Sequence, residues 1–388
     1  MLNKLLLNID QENSFLKTTK LINEYKTKIP EAKLISLGIG DVSKPIVKPI
    51  REAMKKAVDD LGSMDSFKGY GMYYGLKELR QAILDNEYGK YDFSIDEIFV
   101  GDGTKSDSTN ILELFDTDSK ILISNPIYPI YQNGIYALGR KFYEGEVDDN
   151  FKMIVPKDRY DIIYLCSPSN PIGNAYTYDE LKSWIEYANK HNSIIVIDNV
   201  YKAFKQSEDV PDSIYEIPGS KSCAIELRSF SKVASFTGMR CSYFVIPEQI
   251  DKDVLSLWKE RTINRFNGAS YVSQIGAIES FKDEAKVLIE KNILEYKENT
   301  KYLKDEFIKL GFKVIGGVDS PYLWVQTKDN FNSFDYFSLF LEKLNIIIIP
   351  GLVFGTKGDK YFRVSGLGNI EDSKEAIRRI KDYYEKNI

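Results

Sequence analysis

The chain is 388 residues long, 43% apolar and 28% charged, with a formal net charge of −5. That length buries most of the unfolded surface and supports more than one core, whereas a net negative chain with dispersed Lys and Arg excludes a nucleic-acid surface. No apolar run approaches the ~20 residues of a membrane helix, and a single histidine leaves too little for a Ser-His-Asp triad or a multi-histidine metal site.

In chain order, the opening "MLNKLLLNIDQENSF" carries a short apolar patch followed by carboxylates and no small-residue cleavage site, so no signal peptide is expected. The heptapeptide "GYGMYYG" (69–75) packs three tyrosines and three glycines together and predicts a tightly turning loop whose rings do not all face one core. Five short branched or aromatic runs then read as buried strands: "KILISNP" (120–126), "DIIYLCSP" (161–168), "SIIVIDN" (193–199), "SCAIELRSF" (222–230) and "CSYFVIP" (241–247). Between them, "TYDELKSWIEYANK" (177–190) has Leu181, Trp184, Ile185 and Ala188 at helical spacing behind a Thr177/Glu180 capping box, and His191 follows as a helix C-terminal cation. The cysteines, Cys166, Cys223 and Cys241, show neither metal-ligand spacing nor an even count, and the cytoplasm is the expected compartment.

Strands alternating with helices predict an α/β domain, a mainly parallel sheet covered by helices. From residue 283 a long charged helix, shorter strands at "YLWVQT" and "NIIIIPG" and a last helix "EDSKEAIRRIKDYYEKN" predict a smaller α+β unit. The expected division is a large domain over 45–282 and a small domain formed by 1–44 with 283–388.

Open parallel sheets bind ligands at the carboxyl ends of their strands, and the polar residues there make a set. Asp198 and Tyr201 follow "SIIVI", Asn170 follows "IIYLCSPS", and Ser229, Ser231, Lys232 and Arg240 follow "AIELR"; "GDGTK" offers Gly103, Thr104 and Lys105 where a turn opens a helix. Each has an ordinary structural explanation alone, but together they meet the needs of pyridoxal 5′-phosphate. Its aldehyde requires a lysine amine, its ring nitrogen an anion, and its phosphate hydroxyls, backbone N–H groups and a cation. Lys232, Asp198 and the set Thr104, Ser229, Ser231 and Arg240 supply these in order. Tyr201 and Asn170 can reach the ring's phenolic oxygen, and Tyr128 in "NPIYPIY" can stack on its face.

The motifs "LISLGIGD" (34–41), "GYG" (69–71), "GDGTKSD" (101–107), "SPSNPIG" (167–173), "IIVIDNVYKAF" (194–204), "RSFSKVASFTGMRC" (228–241), "FNGAS" (266–270) and "PGLVFGTKGDKYFRVSGLG" (350–368) resemble fold-type I pyridoxal phosphate aminotransferases, most closely the LL-diaminopimelate aminotransferase family. The resemblance implies that Arg363 clamps the substrate α-carboxylate with help from Asn170, that Gly40 lies against the substrate, and that homodimers share active sites, with Tyr70 and Asn267 reaching in from the partner. It also implies that Lys232 moves the proton at the donor α-carbon and that the nitrogen passes to a 2-oxo acid such as 2-oxoglutarate.

Two positions depart from that family. Tyr73 occupies the place of a glutamate that faces the distal ammonium of diaminopimelate, and Asn13 or Ser14 stands where a substrate-facing tyrosine is usual. An uncompensated buried ammonium is costly, so the donor is expected to differ, either aromatic or otherwise hydrophobic, or dicarboxylic. The alternatives are a genuine LL-diaminopimelate aminotransferase that reads the distal group through Lys105 and Asn267, and a pyridoxal phosphate lyase, decarboxylase or racemase on the same fold. Lys202 and Arg265 either add positive charge near the pocket or stay solvated.

Overall fold

The computed structural model describes residues 15–328 and 331–386, so Asn13 and Ser14 lie outside the described residues. In chain order the strands are β1 (Ile35–Ser36), β2 (Ile98–Gly101), β3 (Ile121–Ile123), β4 (Phe142–Glu144), β5 (Ile162–Cys166), β6 (Ile194–Asp198), β7 (Ala224–Ser229), β8 (Ser242–Val245), β9 (Val314–Gly316), β10 (Tyr322–Gln326), β11 (Ile346–Ile347), β12 (Ile349–Pro350) and β13 (Tyr361–Ser365). Seven of them form one sheet in the order β2-β8-β7-β6-β5-β3-β4. Only β8 runs antiparallel to its neighbours β2 and β7.

The apolar runs are continuous because both faces of this sheet are covered. Along β5 and β6, Ile163, Leu165, Ile195 and Ile197 face one buried cluster, and their alternates Ile162, Tyr164 and Val196 face another. The helix Tyr178–His191 packs Leu181, Trp184, Ile185 and Ala188 into the first cluster. Its capping box is formed: Glu180 N donates to Thr177 Oγ1 at 3.3 Å, and Thr177 N donates to the Glu180 carboxylate at 2.7 Å. His191 closes that helix, with its ring 4.5 Å from that of Tyr187.

The smaller sheet is antiparallel, in the order β12-β13-β10-β9, and sits over a separate core that includes Phe307, Phe337, Phe340 and Phe362. The helix Asp283–Lys309 serves both cores, placing Ile289, Ile293 and Tyr296 in the large one and Leu303 and Phe307 in the small one. "NIIIIPG" is not one strand. Ile346 and Ile347 pair in parallel with β1, whereas Ile349 and Pro350 pair with β13, so the run changes sheets at Ile348. Among the described residues no helix is long and apolar enough to cross a membrane.

The two sheets meet at the turn "NPIG". Gly173 has φ +82°, and a Cβ there would fall 1.9 Å from the Tyr322 carbonyl oxygen. Only glycine permits this approach of the large domain to β10.

Candidate active site

One cavity of about 680 Å³ opens at the carboxyl ends of β5, β6 and β7, and the small domain closes its other side. Lys232 projects into it from a single helical turn, Phe230–Val233, that follows β7 directly. Ser229 caps this turn by accepting from Ser231 N at 3.0 Å. The Lys232 ammonium donates to the Gly40 carbonyl, which brings the "GIGD" segment to the same wall.

Asp198 ends β6 and is 6% exposed. Burial raises its carboxyl to about 6, opposed by hydrogen bonds from the Tyr131 hydroxyl at 2.5 Å and from Val200 N at 3.2 Å. A carboxylate kept in so poor a solvent is most stable against a cation. Three residues on, Tyr201 is buried, and its hydroxyl lies 3.0 Å from that of Tyr322.

A cradle suited to an anion lies at the other end of the cavity. Thr104, Lys105, Ser229, Ser231 and Arg240 line it. Gly103, at φ +134°, does not line the cavity itself, but a Cβ there would fall 1.9 Å from Arg240 Nη2, so a bare backbone is what lets the guanidinium lie against this loop. Arg240 itself adopts the left-handed backbone at φ +57°, a conformation that costs a non-glycine residue about 1 kcal/mol. Beneath the loop, Gly103 N donates to Ser242 Oγ at 2.7 Å, and that hydroxyl donates to the buried Asp107 carboxyl at 2.6 Å. The helix opening at Thr104 runs only to Asn110.

Arg363 reaches the cavity from β13 and is 3% exposed. Its Nη1 donates to Asn170 Oδ1 at 2.7 Å and its Nη2 to the Gly38 carbonyl at 3.0 Å, and its carbon centre lies 4.4 Å from the Tyr322 ring and 4.9 Å from the Phe354 ring. Its Nε is buried without a hydrogen-bond partner among the described residues. A fixed, partly unsatisfied guanidinium suits a planar anion such as a carboxylate. Asn170, Gly40 and Tyr128 complete the set of expected residues that line the cavity.

Tyr70, Tyr73 and Asn267 do not line it in the single chain. Tyr70 is 91% exposed, and Tyr73 lines a separate small cavity beside Trp258. Lys202 is neither in the pocket nor free in solvent, since it pairs with Glu87 at 2.6 Å; Arg265 is exposed and lies off the cavity. Tyr131 and Tyr322 were not anticipated. Tyr131 repeats Tyr128 in "NPIYPIY" and Tyr322 opens β10, but neither position carries a sequence signal of its partner.

A mainly parallel sheet with a lysine turn, a buried aspartate and a two-sided anion site at its strand ends, joined to a small antiparallel domain, defines a fold-type I aminotransferase. The chain belongs to the aminotransferase class I and II family, whose sequence profile it matches over residues 32–380. It is 41% identical to the LL-diaminopimelate aminotransferase of Prochlorococcus marinus (strain NATL1A), covering 94% of this chain and 95% of the relative. It is 39% identical to that of Bacteroides thetaiotaomicron, covering 99% of both. Among solved structures, L,L-diaminopimelate aminotransferase from Chlamydomonas reinhardtii superposes with a TM-score of 0.92 at 35% identity, over 99% of this chain and 98% of that one. The protein is therefore an aminotransferase similar to those that act on LL-diaminopimelate.

Proposed function

We propose that this aminotransferase binds pyridoxal 5′-phosphate in the 680 Å³ cavity and moves an amino group from an amino acid to a 2-oxo acid such as 2-oxoglutarate. The observation that carries the reading is the convergence of Lys232, Asp198, Arg240 and Arg363 on one cavity from three parts of the fold: the end of β6, the β7–β8 connection and β13. The donor set fits the cofactor: a primary amine, a desolvated carboxylate awaiting a cation, and a cradle of hydroxyls and a guanidinium.

When bound, the cofactor supplies an aldehyde that condenses with amines and a protonated ring that accepts electrons from the α-carbon. The chain supplies the rest. Asp198 holds the proton on the ring nitrogen, Tyr201 donates to the ring oxygen, and Tyr128 packs on the ring face. Thr104, Ser229, Ser231 and Arg240 hold the phosphate, with the Gly103–Lys105 turn behind them. Arg363 and Asn170 bind the α-carboxylate beside Gly40 and so orient the α-hydrogen, and Lys232 moves that proton as general base and acid.

We also infer a homodimer with shared sites. Met64, Phe67, Tyr70, Met72 and Tyr73 stand 40 to 96% exposed along one loop, an apolar strip that a second copy would cover while carrying Tyr70 and Asn267 toward its neighbour's cavity. Sedimentation should give the mass of a dimer, and a Tyr70→Asp variant should shift it toward monomer.

Relatives at about 40% identity favour diaminopimelate as donor. A second reading, a donor with a neutral apolar side chain, is favoured by the wall that Phe15, Ile22, Ile39, Ile347 and Ile349 give the cavity and by Tyr73 in the dimer loop. Purified enzyme with 2-oxoglutarate and a panel of amino acids, followed by glutamate formed, tests both. Fastest turnover with diaminopimelate removes the second reading, and no glutamate with any donor removes the aminotransferase assignment. Lys232→Ala should abolish both turnover and the visible absorbance gained on adding pyridoxal 5′-phosphate.

A further inference from the structure

The side chain of Tyr322 sits between two groups that the proposed function uses separately. It comes from β10 in the small domain and is 1% exposed. Its hydroxyl lies 3.0 Å from that of Tyr201, with the two rings edge to face at 5.3 Å. Its ring face lies 4.4 Å from the carbon centre of Arg363, its diagonal neighbour across the β10–β13 pair, where Tyr322 stands opposite Ser365 and Trp324 opposite Arg363. Gly40 closes the third side: a Cβ there would be 3.9 Å from the Tyr322 hydroxyl and 3.2 Å from Arg363 Nη2.

We propose that Tyr322 is a positioning residue that ties the carboxylate clamp to the cofactor-facing hydroxyl, its ring holding Arg363 and its O–H donating to Tyr201. This rests on the reading of the cavity as a pyridoxal phosphate site.

A tyrosine hydroxyl has one proton and two acceptor positions. If Tyr201 spends its proton on the ring oxygen, then at 3.0 Å Tyr322 must be the donor and Tyr201 the acceptor. Accepting that bond polarises Tyr201 and makes it a better donor, because hydrogen bonds in series reinforce one another. The pair is shielded from water, so the effect is not diluted: Tyr201 is 4% exposed and Tyr322 1%. The charged and titratable groups around Tyr201 are Tyr322, Cys166 and Arg363, and Asp198 and Lys232 share the cavity. Among the described residues, Tyr322 is the one that hydrogen-bonds the Tyr201 hydroxyl. The same ring meets a desolvated guanidinium, where cation–π attraction is at its strongest. Substrate carboxylate at Arg363 and negative charge at the cofactor's ring oxygen therefore share one side chain, carried by the domain opposite the one that holds Asp198.

Two substitutions separate the two contacts. Tyr322→Phe keeps the ring and removes the hydroxyl; Tyr322→Leu removes both. Each is loaded with pyridoxal 5′-phosphate, and the visible absorbance band is titrated against pH. Binding of 3-phenylpropanoate and succinate, carboxylates without an amine, is measured by the change in that band. Tyr322→Phe should raise the titration midpoint by roughly half to one pH unit, the worth of one hydrogen bond, and leave carboxylate binding within about twofold, below the smallest cation–π effect. Tyr322→Leu should also weaken carboxylate binding by roughly threefold to thirtyfold. In a Tyr201→Phe background, Tyr322→Phe should not move the midpoint further. An unmoved midpoint in Tyr322→Phe, or an equal shift when Tyr201 is already phenylalanine, overturns the proposal, as does unaltered carboxylate binding in a folded Tyr322→Leu protein. Should wild-type protein gain no visible band, the underlying reading of the cavity has failed instead.

Discussion

Replacing Asp198 by asparagine should act in opposite directions on the cofactor-free protein and on the loaded enzyme. Burial lifts the Asp198 carboxyl from 3.8 to about 6, and each pH unit corresponds to about 1.4 kcal/mol. The folded state therefore binds a proton here more tightly than the unfolded chain does. Its contribution to stability is complete below pH 4 and is lost as pH rises through 6. Relative to a group that never ionises, the aspartate costs roughly half of its full penalty at pH 5 and about 3 kcal/mol at pH 7 and above. Asparagine occupies the same volume, and the Tyr131 hydroxyl can rotate to accept from its amide while Val200 N keeps its oxygen acceptor. Cofactor-free Asp198→Asn should thus melt above wild type at pH 7.5, with the advantage shrinking toward pH 5. The loaded variant should lose about 100-fold or more in turnover, the cost of removing a preorganised charge. Thermal melts of both proteins across pH 5 to 8, without cofactor, provide the measurement. A variant that melts below wild type at pH 7.5, or a difference that does not change with pH, would refute the burial argument.

Tyr131→Phe removes a hydrogen bond that lowers the Asp198 carboxyl, so the acid limb of the pH–rate profile should move up by about one unit. Arg363→Lys loses the planar fork and should raise KM for both amino and oxo acid by about tenfold or more, with a smaller change in kcat. Glu226, fully buried, accepts from Arg228 Nε at 2.9 Å, Tyr88 at 2.8 Å and Asn199 at 3.0 Å. Glu226→Ala should cost about 3 kcal/mol or more, read in denaturant melts. Gly173→Ala forces a Cβ onto the Tyr322 carbonyl and should cost at least about 2 kcal/mol, while also reducing turnover.

The central strands were legible because a parallel sheet covered on both faces demands apolar runs, which β3, β5 and β6 have, whereas β7 interrupts its run with the buried pair Glu226 and Arg228. β4 gave no such signal: it is an edge strand, and Tyr143 and Glu144 are exposed. The run "NIIIIPG" misled because composition does not record that Ile346–Ile347 and Ile349–Pro350 pair with different sheets. In the site, Lys232, Asp198 and Arg240 could be read from their place at strand ends, where the chemistry of each side chain is explicit. Tyr131 and Tyr322 could not. They matter through hydroxyl bonds to residues 67 and 121 positions away, and nothing local to either tyrosine fixes such a partner.

The base of the anion cradle joins distant parts of the chain. Gly103 is held by Ser242, which in turn holds Asp107, and these contacts depend on β2 pairing with β8, Ile98 with Val245. About 140 residues, including β3 to β7, lie between the two strands. Bringing such remote segments together carries a loop-closure cost that only long-range pairing repays. A chain of which only the first half has been made therefore lacks a complete anion cradle, because β8 is what joins β2 to β7. Under the proposed function, cofactor capture would then report on completed assembly of the large domain rather than nucleate it.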